Sequence, residues 1–209
     1  MKKLFALIAT AIVCVSASAQ VQFGAKVGFD MTHFWGDDAP RGWQPNYQVG
    51  LMMEYKFNPS FAIAPEVVFA AQGGKETDKV DVEEFPGIVE AKGTFHTNYI
   101  NVPLMLKFYA TPAFSIDFGP QVGFNVYSKM TASGKAGSIE AKESVDLKDY
   151  TNTVDFGLGL GATYNLTDHA FVQARYNLGL TKVFDVKKLG LGESNEKNGN
   201  LQIAFGMKF

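Results

Sequence analysis

Hydrophobic and polar residues alternate along most of the chain beyond residue 20. In the first such segment, the odd positions from Val21 to Met31 carry apolar side chains or alanine, and the even positions are polar or glycine. Successive side chains of a β-strand point to opposite faces, so this period predicts strands with one apolar and one polar face. Eight segments follow the pattern: 21–31, 47–57, 61–69, 100–108, 114–126, 154–164, 172–180 and 198–209.

The connections between these segments alternate in length. Short breaks fall at 58–60, 110–113 and 165–169, whereas long polar connections fall at 33–46, 73–97, 128–150 and 182–198. Short turns on one side and long loops on the other are typical of outer-membrane barrels, whose strands need about 9–11 residues to cross the membrane. We therefore predict an all-β fold, an eight-stranded antiparallel transmembrane up-and-down barrel with short periplasmic turns and long extracellular loops.

A soluble barrel of the lipocalin type is the main structural alternative, and it would turn the apolar face inward. Two observations favour the opposite orientation: the apolar face carries no charge, and the glycines cluster on the polar face, where a narrow barrel interior needs small residues. We therefore expect Phe118 and Leu158 on the outside, in contact with lipid.

Aromatic residues near the segment ends also favour this orientation, because two such bands match the interfacial girdles of membrane proteins. One predicted band, near the short breaks, contains Tyr55, Phe57, Phe61, Phe108, Tyr109, Phe114, Tyr164, Phe171 and Phe209. The other, near the long connections, contains Phe34, Trp35, Trp43, Tyr47, Tyr99 and Tyr127.

The polar face carries charges that the predicted orientation buries inside the barrel. Buried charges are tolerated only when they are paired, so we predict a packed interior ion-pair network and a closed barrel instead of a wide pore. The predicted network consists of five cations, Lys26, Lys56, Lys107, Arg175 and Lys208, and five anions, Asp30, Glu54, Glu66, Asp117 and Asp155.

Three prolines conflict with this reading. Pro65, Pro103 and Pro120 lie inside predicted strands, and each lacks the N–H that a ladder hydrogen bond requires. We expect local β-bulges at these positions.

The first residues predict export. Lys2 and Lys3, the apolar run that follows and the small residues 17–19 form the pattern of a signal peptide, which gives residues 1–19 as signal and 20–209 as the barrel domain. Cys14, the single cysteine, lies within that segment. The net charge of −2 and the lack of a basic patch exclude nucleic acid as a partner, and three scattered histidines without ligand spacing predict neither metal nor cofactor.

Several motifs resemble a known family. "YINVPLMLKFY" at 99–109, "FSIDFGPQVGFNV", "VDFGLGLGATY" and "ARYNLGLTKV" resemble the PorT-like outer-membrane β-barrel domain family of Bacteroidota-type envelopes. Pro103, Leu104, Leu106 and Lys107 keep the family pattern, whereas Asn101 stands where glutamate is common. The resemblance implies the barrel fold and the bacterial outer membrane, and the founding member of the family is tied to secretion and gliding machinery.

The last residues resemble a sorting signal. Phe209, with Met207 and Phe205 on the same strand face, resembles the terminal aromatic pattern that the barrel-assembly machinery reads during insertion. The resemblance therefore implies that machinery and outer-membrane lipid as partners.

For function, we expect a monomeric closed barrel that serves as a membrane anchor or scaffold, with loops 73–97 and 128–150 binding a protein or glycan partner or supporting envelope integrity. The alternatives are a narrow channel, an accessory component of a secretion apparatus, or a lipid-modifying enzyme. The last would use His33 or His96 near Ser128, Ser133, Asp37 and Asp38, but a Ser-His-acid set requires contacts that the spacing does not provide. We therefore predict no catalytic residues.

Overall fold

The computed structural model describes residues 20–36, 39–40, 42–81, 88–136, 139–185 and 195–209, so the predicted signal peptide and the Asp37–Asp38 pair lie outside the described residues. Within these ranges, no helix is long and apolar enough to cross a membrane. In the described part of the chain, a single 3₁₀ turn, Lys148–Tyr150, accompanies nine strands. The strands are β1 Val21–Trp35, β2 Gln44–Asn58, β3 Phe61–Asp81, β4 Ile88–Thr111, β5 Phe114–Ala136, β6 Ile139–Asp146, β7 Val154–Asn165, β8 Ala170–Gly179 and β9 Lys197–Lys208.

Eight of these strands close into a ring of antiparallel pairs. The order is β1-β2-β3-β4-β5-β7-β8-β9, and the pairing of β9 with β1 closes it. The predicted eight-stranded barrel is therefore confirmed. The ninth strand, β6, pairs with the far end of β5 outside the ring.

The long connections at 73–97 and 128–150 are largely strand, and their prediction as loops was wrong. Strands β3, β4 and β5 continue far past the ring, and β6 adds to them. The outer face of these segments carries Lys, Thr and Ser where the barrel carries apolar side chains, so the segments lack the apolar alternation that marks a strand in lipid, yet they satisfy their backbone groups by pairing with each other. We call residues 73–81, 88–97, 128–136 and β6 the protruding sheet.

The apolar face points outward. Phe118 is 51% exposed and Leu158 is 38% exposed, whereas Lys26, Asp30 and Glu54 are at most 2% exposed. The predicted apolar-out orientation is therefore confirmed, and the inner face is polar.

Four aromatic residues do not belong to the predicted girdles. Phe34, Tyr99, Tyr109 and Phe171 are at most 5% exposed and point into the barrel. Side chains alternate between the two faces of a strand, and these four residues occupy inward-facing positions. On β4, for example, the exposed side chains are those of Ile100, Leu104, Leu106 and Phe108, so Tyr99 and Tyr109 point inward. Proximity to a strand end was therefore an insufficient criterion.

The expected bulges at the three prolines were wrong. The pairs on the two sides of Pro65, Met52↔Glu66 and Tyr55↔Ile63, belong to one continuous register between β2 and β3. The register is likewise continuous around Pro103 and Pro120. A proline removes one donor but does not change the spacing of its neighbours, so the ladder can lose a bond and keep its register. The register shifts occur instead at 56–58, 98–99 and 109–111.

The outward orientation predicts a depth-dependent cost for a charge on the lipid side. Leu160, 59% exposed at the middle of β7, should lose about 2–4 kcal/mol of unfolding free energy when it is replaced by arginine, because the guanidinium would lie in hydrocarbon. Denaturant unfolding from lipid vesicles measures this. Leu166→Arg is the matched control, since Leu166 is 52% exposed but lies in a short turn beyond β7, and equal losses in both variants would contradict the orientation.

Candidate functional site

Glu66 forms the centre of the first ion cluster, about midway along the barrel. Its carboxylate accepts two hydrogen bonds from the Arg175 guanidinium, at 2.7 and 2.9 Å, and one from the Lys26 ammonium at 2.6 Å. Lys26 also donates to the Gln173 side-chain oxygen at 2.9 Å. All three charged side chains are 2% exposed, so the cluster is a buried, hydrogen-bonded group of two cations and one carboxylate.

Glu54 forms the centre of a second cluster, nearer the short turns. The ammonium groups of Lys107 and Lys208 lie 3.1 and 3.2 Å from its carboxylate. The Tyr109 hydroxyl donates to the same carboxylate at 2.5 Å, and the ammonium of Lys56 approaches to 3.9 Å from a side chain that is 36% exposed. This cluster closes the barrel at its periplasmic end and carries more positive than negative charge.

The other three predicted acids accept hydrogen bonds from neutral groups. Asp117, which lies between the two clusters, accepts three such bonds from serine, threonine and glutamine side chains. The interior therefore differs from the expected network in which all ten charges pair with one another, because hydroxyl and amide donors replace cations at three sites. The donors are Ser115, Thr163 and Gln173 for Asp117, Asn200 for Asp30, and Thr181 and Asn198 for Asp155.

A band of amide side chains lies beyond the Glu66 cluster, on the side of the long connections. Gln48 and Asn177 are at most 6% exposed, and the amide atoms of Asn177 make no hydrogen bond within the described residues. Single polar atoms of Asp30, Asn101 and Asn200 share this property. Buried polar atoms generally find partners in protein or ordered water, so this band is the part of the interior best able to accommodate small polar molecules.

Three phenylalanines cover the polar interior at its outer end. The rings of Phe34, Phe95 and Phe184 are in mutual contact, with centroid distances of 5.7 to 6.0 Å. Val183 and Leu147 pack against them. Lys26 belongs to the Glu66 cluster, Asp30 to the amide band and Phe34 to the three phenylalanines, and these residues follow one another along β1. From periplasm to exterior, the order is therefore ion cluster, amide band and aromatic cap.

The protruding sheet has two chemically different faces. Phe95 and Met130 lie on the inner face, which continues the barrel interior. His96 and Lys129 lie opposite one another on the outer face, which continues the apolar outside of the barrel. The hydroxyls of Thr131 and Ser144 are 3.1 Å apart on that outer face.

Among the described residues, which do not include Asp37 and Asp38, neither histidine of the enzyme alternative is hydrogen-bonded to a serine or an acid. His33 packs against Trp43 at 4.1 Å between ring centroids, and its Nε2 lies 3.2 Å from the Tyr176 hydroxyl. His96 Nδ1 lies 3.1 Å from the side-chain amide of Gln44, whose oxygen is placed to accept its N–H. Burial lowers the pKa of His96, which lies in the protruding sheet, and nearby Lys129 and Lys142 lower it further.

The remaining serines and the residues of the predicted sorting signal also have defined positions. Ser128 is buried and its hydroxyl donates to the Asn125 side chain at 3.3 Å, and Ser133 lies on the outer face of the protruding sheet. The described residues contain no group of three or more metal-ligating side chains. Phe205, Met207 and Phe209 lie exposed on the outer face of the last strand and the residue after it.

Several residues of the polar interior were missed because the sequence reasoning followed charge alone. Tyr109, Thr163 and Gln173 bind the interior carboxylates, and none of them carries a charge. The available signal was parity, since each occupies a position on the polar face of its strand. Extending the same alternation to neutral side chains would have identified them.

A family-model match covers most of the chain. A family model described as outer membrane protein beta-barrel domain matches residues 16–185. No curated protein matches. Among solved structures, the chain is similar to Ail of Yersinia pestis in complex with the heparin analogue sucrose octasulfate, with 12% identity, 91% of this chain and 99% of that chain covered, and a TM-score of 0.48.

Two further solved structures are similar at comparable levels. Neisserial surface protein A has 13% identity, coverage of 90% of this chain and 97% of that chain, and a TM-score of 0.44. OprG from Pseudomonas aeruginosa has 18% identity, coverage of 92% and 97%, and a TM-score of 0.37.

The Glu66 cluster predicts a large effect of one isosteric change. Glu66→Gln should lower the unfolding free energy by about 3–5 kcal/mol, because it leaves the buried charges of Lys26 and Arg175 without their carboxylate. Denaturant unfolding in a fixed lipid measures the loss. The triple variant Lys26→Met, Glu66→Leu, Arg175→Leu should recover most of it, since no buried charge of the cluster remains. An unchanged unfolding midpoint for Glu66→Gln would contradict the role of the cluster.

Proposed function

Because the chain belongs to the outer membrane protein beta-barrel domain family, we propose that it is a closed barrel that anchors a binding surface at the outside of the cell. The protein is located in the bacterial outer membrane. In this proposal the barrel serves as a rigid scaffold, and the protruding sheet is the part that meets a protein or glycan partner.

The unequal strand lengths carry this proposal. Strand β4 has 24 residues and β5 has 23, whereas β7 has 12 and β8 has 10. About 9–11 residues suffice to cross the membrane, and the ten residues 88–97 of β4 and the nine residues 128–136 of β5 belong to the protruding sheet beyond it. Such an extension contributes nothing to spanning and needs another role.

The closed interior supports a scaffold over a channel. The Glu54 and Glu66 clusters and the aromatic cap of Phe34, Phe95 and Phe184 cross the lumen at three depths. An eight-stranded barrel has room for side chains only. We therefore propose that solutes do not pass through the barrel as it is folded here.

The finer assignments belong to the same proposal. The motifs at 99–109 and 175–183 support membership of the PorT-like branch, and the paired ring without an unpaired barrel edge supports a monomer. The separate surroundings of His33 and His96 support a non-enzymatic role. Partners of a secretion apparatus would instead contact the short turns on the periplasmic side.

A closed barrel predicts the absence of steady conductance. The purified chain in a planar bilayer should show no stepwise openings at neutral pH, because three layers of packed side chains block the lumen. Regular single-channel openings that persist across independent preparations would favour the narrow channel over the scaffold.

A displayed binding surface predicts a contact that is confined to the protruding sheet. A photoreactive residue at Val145, 57% exposed in β6, should form crosslinks to an external macromolecule in intact cells, whereas one at Leu166, 52% exposed in a short turn, should not. In a trimmed barrel, Asn-Gly turns replace residues 76–93 and 131–144. This variant should fold, because each turn joins residues that are already paired, Lys75 with Thr94 and Met130 with Val145. It should lose the external contact. Unchanged adhesion and envelope integrity in the trimmed strain would count against the proposal.

A further inference from the structure

The outer face of the protruding sheet is cationic and rich in hydroxyl groups. Residues that pair directly across antiparallel strands share a face, so the register assigns them to rows. The described side chains form a lower row of His96, Lys129 and Asp146, a middle row of Lys75, Thr94, Thr131 and Ser144, and an upper row of Lys92, Ser133 and Lys142.

Positive charge dominates these three rows. They contain four lysines, two of which, Lys92 and Lys142, are exposed and two half-buried. Asp146 is the only carboxylate among the described side chains of the rows, and it accepts a hydrogen bond from the Lys148 backbone at 2.8 Å. The mild overall charge of −2 therefore conceals a locally basic surface.

The position of this face relative to the membrane restricts what can bind there. Tyr127, 42% exposed, and its ladder partner Asn98 lie at the outer edge of the apolar band. At about 3.3 Å per residue and a tilt of about 40°, His96 and Lys129 lie about 5 Å beyond that edge and Lys92 about 15 Å beyond it. The headgroup layer on each side of a bilayer is about 5–8 Å thick, so the lower row lies among the headgroups.

The three rows continue the surface that contacts lipid chains. On β4, Ile100 is 39% exposed, and the positions of the same parity beyond it are Asn98, His96, Thr94 and Lys92. A lipid whose acyl chains lie against Ile100 therefore has its headgroup beside the lower and middle rows. Lysine ammonium groups bind phosphate, and serine and threonine hydroxyls can donate to phosphate or sugar oxygens.

We propose that the outer face of the protruding sheet binds the phosphorylated saccharide headgroup of an outer-leaflet glycolipid in the same membrane. The lower and middle rows contact the phosphate nearest the acyl chains, through Lys129 and Lys75. The upper row contacts the outlying part of the headgroup, with Lys92 and Lys142 on strands separated by one strand, about 10 Å apart. A phospholipid headgroup is too short to reach all three rows.

Lipid A, a diphosphorylated glycolipid, is the probe for this site. The purified chain in zwitterionic detergent should bind lipid A, measured by native mass spectrometry, and the triple variant Lys92→Gln, Lys129→Gln, Lys142→Gln should bind about a hundredfold more weakly, at about fivefold for each lysine. The binding should weaken with added salt, because the contacts are exposed charges. Lipid A without phosphates should bind to the parent chain as weakly as lipid A binds to the triple variant.

Lys197→Gln is the matched control, because Lys197 is a lysine on the extracellular side that stacks on Trp35 away from the three rows. It should bind lipid A like the parent. Equal affinity of the parent and the triple variant would overturn the proposal. Inositol hexakisphosphate is a soluble polyphosphate and tests whether the site takes a free anion instead of a lipid. If the parent chain bound it as tightly as lipid A, the proposal would also be overturned.

His96 reports on the site independently of affinity. Its imidazole lies beside Lys129 in the lower row, and Lys129 and Lys142 contribute to the lowering of its pKa. A bound phosphate should therefore raise the pKa of His96 in an NMR titration of the parent chain, and an unchanged titration in saturating lipid A would contradict the placement. These measurements use no external partner, so their outcome is separate from that of the proposed scaffold function.

Discussion

The structure depends on one constraint, which is that no backbone N–H or C=O can remain unpaired in hydrocarbon. A set of strands meets this requirement only by closing on itself, and here the pairing of β9 with β1 supplies the closure. Once eight strands form the ring, its interior has room for side chains and little else. The arrangement of charges, glycines and aromatics follows from this narrow, closed geometry.

The charged groups of the interior find their partners mainly within the protein, because the lumen of an eight-stranded barrel is filled with side chains. Glu54 and Glu66 each gather several cations, and the other acids use hydroxyl and amide donors. Close packing also determines where glycine is required, since the ring of Phe171 lies directly over Gly206 and leaves no space for a Cβ atom. Charge pairing and side-chain volume therefore act together to close the barrel.

Beyond the membrane the constraint no longer applies, because water can pair with any exposed backbone group. Strand β6 can therefore have an open edge there, which none of the ring strands has at membrane depth. The same change of solvent explains the composition of the outer surface, which is apolar up to Tyr127 and rich in Lys, Thr and Ser from Lys129 onward. The proposed binding surfaces lie where the lipid constraint ends.

The sequence by itself determined the eight-stranded ring, its orientation and the charged lining, because alternation of apolar and polar side chains directly reflects two different solvents on two faces of a strand. Where the outer face of a strand meets water instead of lipid, as in the described parts of 73–97 and 128–150, the apolar alternation disappears and the strands could not be recognised. Only the tertiary structure decided which charges meet, since Glu66 contacts Lys26 and Arg175 across the lumen from distant strands. The same holds for Tyr109 and Phe34, whose inward direction depends on strand register and not on their position near a strand end.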